Sequence, residues 1–78
     1  MMGGRPGFDF VEPMILNVLK VAEIPMSILS INYRVNESVG RTINLNVIKN
    51  RLLFLVGKNK ISEKMDKNNG ILYYKLIL

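Results

Sequence analysis

With 78 residues and 8.9 kDa, the chain has room for one small domain, and it contains neither cysteine nor histidine. Those absences exclude a disulfide framework, a thiolate nucleophile and a cysteine-based metal site, and they remove the commonest general base and metal ligand. The net charge of +5 is unevenly held: residues 1–33 carry two basic against three acidic side chains, and residues 34–78 carry nine against three.

A basic second half points to a polyanionic partner. A hydrophobic fraction of 49% argues against disorder and places the core in Ile, Leu and Val. No uninterrupted apolar run approaches a membrane span, because Asn17, Lys20, Glu23 and Pro25 break the stretch from Met14 to Ile31. The first residues lack an apolar segment of signal-peptide length, so a cytoplasmic protein without a membrane partner is expected.

Residues 1–8, with three glycines and a proline, read as a flexible N-terminal arm, and residues 9–78 as the folded domain. Asp9 and Glu12 have the spacing of a capping box, and Pro13 falls in a first turn where its missing N–H is harmless. Ile15, Leu16, Val18, Leu19 and Ala22 then give an apolar face, predicting a first helix over 10–22. Pro25 breaks the helix, and Ser27 offers a cap to a second one over 27–36, where Ile28, Ile31 and Val35 lie three and four apart. Asn36 to Ile43 reads as an inter-helix turn, with Gly40 suited to positive φ.

A third helix is predicted over 44–58, capped by Thr42 or Asn44 and buried along Ile48, Leu52, Leu55 and Val56. Leu53 and Phe54 leave its C-terminal half apolar nearly all round, so this half is expected to be buried on several sides or to meet a partner subunit. Gly57 and Asn59 stand where it should end. Ile61, Glu63 and Met65 alternate with Ser62 and Lys64 as in a strand with one buried face. Asp66 to Gly70 is rich in turn formers, with Asn69-Gly70 the usual dipeptide of a tight hairpin turn, and Ile71–Leu78 reads as a β-prone strand that needs cover on both faces. A helix leading into a hairpin is the back half of a winged helix-turn-helix, so the expected class is α+β: three helices followed by a two-stranded wing.

The six acidic residues are scattered over caps and turns. No pair is placed for acid–base work, and no phosphate loop, nucleophile elbow or metal-ligand set is present. A non-enzyme without cofactor or small-molecule substrate is expected. What the sequence does offer is a nucleic-acid surface. Asn44, Asn46, Lys49, Asn50 and Arg51 occupy the exposed side of the third helix, where Asn pairs with an adenine edge and Arg with a guanine edge. Lys64, Lys67, Asn68 and Asn69 at the hairpin tip suit phosphate or minor-groove contact, with Arg34 and Arg41 as further basic candidates.

The run ILSINYRVN, a loop, LNVIKNRLLFLVGKNKISEK and a late YYKL together resemble archaeal winged-helix DNA-binding proteins. In that family helix 2 ends in an apolar-Tyr-Lys/Arg-x-Asn signature, helix 3 in F-L-x-x-K-G-L-I, and the last strand carries Y-x-L. Asn32 to Asn36, Phe54 to Ile61 and Tyr74 to Leu76 stand in those places. The resemblance implies that helix 3 reads DNA and the hairpin is the wing. It departs in two respects: several relatives dimerise through a coiled-coil helix after the wing, whereas this chain stops at Leu78, and the loop 37–43 looks longer than the family's turn. A small transcriptional regulator binding double-stranded DNA as a homodimer is the leading expectation. A protein-interaction module within a larger assembly and a nonspecific chromatin-type protein are the alternatives.

Overall fold

The computed structural model describes residues 10–77; the proposed arm at 1–8, Asp9 and Leu78 lie outside them. Three helices, α1 (Val11–Ala22), α2 (Ile28–Val39) and α3 (Leu45–Gly57), pack together with three short strands, β1 (Met26–Ser27), β2 (Ile61–Met65) and β3 (Leu72–Leu76). The strands form one antiparallel sheet in the order β1-β3-β2. This is a winged helix-turn-helix, with α2 and α3 as the helix pair and β2–β3 as the wing.

One contiguous core joins the layers. Ile15 and Leu19 from α1, Ile31 and Val35 from α2, and Ile48, Leu52 and Leu55 from α3 meet Ile61 and Tyr74 from the sheet. These are the positions that the three-and-four spacing marks in each helix, and burying each such side chain contributes roughly 1.5–3 kcal/mol.

The ends of the elements depart from expectation in instructive ways. At α1 the capping residue is Phe10, with no side-chain cap, and Glu12 pairs with Arg51 and Lys58; the expected capping box involves Asp9, which lies outside the described residues. Glu23, at φ 59°, ends α1 with its N–H on the Leu19 carbonyl. Ser27 caps α2 as expected, its Oγ accepting from the Ser30 N–H at 3.3 Å.

The second helix runs three residues beyond 36, to Val39, which shortens the inter-helix turn to residues 40–44. Gly40, at φ 79°, stops it by donating to the Asn36 carbonyl at 2.8 Å, a left-handed cap that a side chain would strain. Two amide side chains on α2 then hold the turn. Asn36 Oδ1 accepts from the Ile43 N–H at 2.7 Å, and Asn32 Nδ2 donates to the Ile43 carbonyl at 3.0 Å. Asn36 Nδ2 also donates to Asn32 Oδ1 at 3.2 Å, so the two amides orient each other. With both peptide groups satisfied, Ile43 is 2% exposed.

Of the two possible caps for α3, Asn44 is the one used: its Oδ1 accepts from the Asn46 N–H at 2.7 Å. The helix closes in a Schellman motif, Asn59 bonding to Val56 and Lys60 to Leu55, with Asn59 itself at φ 61°.

The wing also departs from expectation. It is backed by a third strand, β1, whose Met26 and Ser27 pair with Tyr74 and Tyr73. The hairpin does not turn on two residues. Asp66 N–H donates to the Ile71 carbonyl at 2.9 Å and Gly70 N–H to the Asp66 carbonyl at 2.8 Å, leaving a four-residue loop with Gly70 at φ 70°. Asp66 and Asn69 bind their own backbone nearby, accepting from the N–H groups of Asn68 and Ile71. Nor are the strand faces covered as expected: in β2 only Ile61 is buried, and in β3 only Tyr74. Tyr74 donates its hydroxyl to Glu63 Oε2 at 2.8 Å across the hairpin, and burial, reinforced by that carboxylate, raises its pKa to about 12.

Two outcomes follow from these bonds. Asn36→Ala strands the buried Ile43 N–H, which costs about 1–3 kcal/mol. The Tm should fall by about 4–8 °C per kcal/mol in a domain of this size; a melting curve superimposable on wild type would show that the turn is held by something else. A tyrosine pKa higher in the folded state than in the unfolded chain stabilises the fold below the unfolded value of 10.0 and loses that contribution as pH rises towards about 12. Tyr74→Phe should therefore lower stability at neutral pH and narrow its deficit against wild type in denaturant titrations between those two pH values. A constant deficit across the window would refute the assignment.

Candidate nucleic-acid interface

The buried side of α3, Ile48–Leu52–Leu55, is fixed against α1 and α2, which determines what the helix shows to solvent. Successive residues turn by about 100°. Counting from Asn46, Leu53 lies about 20° to one side, Lys49 about 60° to the same side and Asn50 about 40° to the other. All four are exposed. They make one stripe across the face opposite the core, on an element capped at both ends.

Arg51 does not share that stripe. It lies about 140° round the helix from Asn46. Its Nη1 donates to Glu12 Oε2 at 3.3 Å, and its guanidinium stands 5.8 Å from the Phe54 ring centroid. Lys58 joins the same cluster, 3.7 Å from Glu12 Oε1 and 4.6 Å from the Phe54 ring. Phe54, half-exposed, is therefore flanked by two cations that one carboxylate of α1 holds in place. Of the two expectations for Leu53 and Phe54, burial on several sides within the domain is corrected, since each has about half its surface in solvent, 50% and 52%; contact with a partner subunit is the alternative left.

The other sequence candidates are dispersed. Asn44 spends its Oδ1 on the α3 cap. Arg34 is exposed on α2, and Arg41 sits in the inter-helix turn with its guanidinium 5.4 Å from the Phe10 ring. Lys64 is exposed on β2, and Lys67 and Asn68 on the hairpin loop. The structure thus gathers Asn46, Lys49 and Asn50 on one helix face and sets Lys64, Lys67 and Asn68 on the wing. Sequence reading missed two participants: Leu53, which a helical wheel anchored on Ile48 and Leu52 would have placed outside, and Glu12, whose partners are far away in the chain and leave no local signal.

Among the described residues no three Asp, Glu, His or Cys side chains cluster as a metal site would require, and no helix is long and apolar enough to cross a membrane.

No family model matches the chain, and no curated protein does. Solved structures do. The chain is similar to the hsRosR-S4 complex, with 27% identity, a TM-score of 0.73, and coverage of 94% of this chain and 60% of that one. RosR of H. salinarum in crystals grown from NaBr gives 26% identity and a TM-score of 0.72 over 96% of this chain and 64% of that one. The chain thus spans about three fifths of the RosR chains it matches. HOP2, in a structure concerned with its DNA recognition and protein interaction domains, gives a TM-score of 0.73 over 86% of this chain and 98% of that one. At 19% identity that last likeness speaks for the fold alone.

Proposed function

We propose that this domain binds double-stranded DNA as a small transcription regulator, with α3 in the major groove and the β2–β3 hairpin along the flanking backbone. The observation that carries this reading is the rigid, exposed stripe of Asn46, Lys49 and Asn50 on the helix that follows the helix-turn-helix corner. Amide and ammonium donors on such a helix match base edges in the major groove. The excess of basic residues after position 33 supports it.

The remaining candidates fall into supporting parts. Lys64, Lys67 and Asn68 suit phosphate contact from the wing, and Arg34 and Arg41 suit the backbone beside the corner. Asn44, with its oxygen engaged, retains amide N–H donors at the helix N-terminus, where an anion is favoured. Arg51 acts first as the tether of α3 to α1 and reaches a phosphate only at the rim.

A second reading has its own observation. Ile24, Leu29 and Met65 are 62%, 67% and 55% exposed around Tyr73, where the α1–β1 link, α2 and the wing border two shallow clefts. We place the homodimer contact on this apolar surface; a module that seats a different protein would use it too.

Fluorescence anisotropy across a salt series tests the first reading. Affinity should fall with log slope of about 0.9 per phosphate contacted, and Lys49→Ala with Asn50→Ala should weaken binding by about 1–3 kcal/mol. Binding by the double variant equal to wild type would remove α3 from the interface. Equal affinity for random duplex and for the DNA beside its own gene would favour the chromatin-type alternative. Light scattering tests the second reading: twice the monomer mass is expected for wild type and the monomer mass for Leu29→Asp with Met65→Asp. A monomeric wild type would overturn the dimer.

A further inference from the structure

The stripe on α3 has a chemical composition that bears on which bases it accepts. The only guanidinium of α3, Arg51, lies off this stripe and is held by Glu12 and Phe54. Arginine, one of the two usual readers of a guanine edge, is therefore missing from the face, and the other, Lys49, stands at its margin, about 60° from Asn46. What remains are two carboxamides, Asn46 and Asn50, and a half-exposed leucine, Leu53. Asparagine bonds in bidentate fashion to adenine N7 and the N6 amino group, while an aliphatic side chain in the major groove meets the thymine C5 methyl.

A lone exposed leucine is ordinary on a protein surface. This one is distinguished by its position: it lies between Asn46 and Lys49 in azimuth, about two turns and roughly 10 Å further along the axis of α3 than Asn46. No side chain of the core competes for it, and the flanking Phe54 is held to the side by Lys58 at 4.6 Å.

We propose that α3 is a reader of A·T pairs, in which Asn46 and Asn50 recognise adenine and Leu53 recognises the thymine methyl group. The inference rests on the DNA-binding reading above and adds the base class and a specificity-determining residue to it. Each buried methyl is worth about 0.8 kcal/mol, or about fourfold in affinity.

The test compares the full 78-residue chain on three pooled short duplexes of equal length: random A·T sequence, the same pool with deoxyuridine replacing every thymidine, and random G·C sequence. Wild type should prefer the thymine pool to the G·C pool, and should lose about fourfold per contacted methyl on the uracil pool. Leu53→Ala should bind the thymine and uracil pools alike while keeping its salt dependence, with circular dichroism confirming the fold. Equal binding of wild type to the thymine and uracil pools, or an undiminished difference in Leu53→Ala, overturns the role of Leu53. Equal binding to A·T and G·C pools overturns the base preference while leaving DNA binding intact. Absence of binding to every pool at low salt instead takes down the DNA-binding reading, and this inference with it.

Discussion

The hydrogen bonds from Asn32 and Asn36 to the two peptide groups of Ile43 set the corner on which the domain turns. Ile43 must be buried to close the core between α2 and α3, and a buried loop residue is tolerated only if its N–H and carbonyl find partners. Both partners come from one face of α2, one turn apart, so the corner is fixed relative to that helix. The start of α3 one residue later at the Asn44 cap inherits this placement, and so does the azimuth of every side chain on it. The stripe of Asn46, Lys49, Asn50 and Leu53 faces outward because of a bond made at position 43.

A second constraint acts at the far end of α3. Glu12, in the first turn of α1, draws Arg51 and Lys58 towards itself on either side of Phe54. Exposed ion pairs of this kind contribute little to stability, about 1 kcal/mol or less each. Their larger effect is on which charges the helix presents. Two of the three cations between Lys49 and Lys58 are engaged at the α1 side, which leaves the outer face of α3 polar and apolar but only lightly charged.

The helices were legible because their core stripes are strongly periodic and because Ser27 and Asn44 are cap residues in their usual places. The length of α2 was not. Asn36 and Gly40 each read locally as turn formers, yet Asn36 is helical because its side chain is needed for Ile43, and only Gly40 ends the helix. Strand β1 was invisible: two residues between a proline and a helix cap carry no periodicity, and they extend only because β3 pairs with them. The hairpin and its turn-forming stretch Asp66–Gly70 were legible, but not the turn type, since Asn69 and Gly70 share a longer loop closed by Asp66. For the candidate site, the residue types on α3 were legible and their azimuth only partly so. Arg51 stands off the outer face by its azimuth and pairs with a distant carboxylate on α1, while Leu53 stands on that face.

Ser27 belongs to two structures at once. Its backbone pairs with Tyr73 in the sheet, and its side chain begins α2 by accepting from Ser30. The wing is therefore joined by a single residue to the N-terminus of the helix whose other end grips Ile43. Through Ser27, α2 and Asn36, the sheet and the corner that precedes α3 are thus parts of one continuous hydrogen-bonded framework.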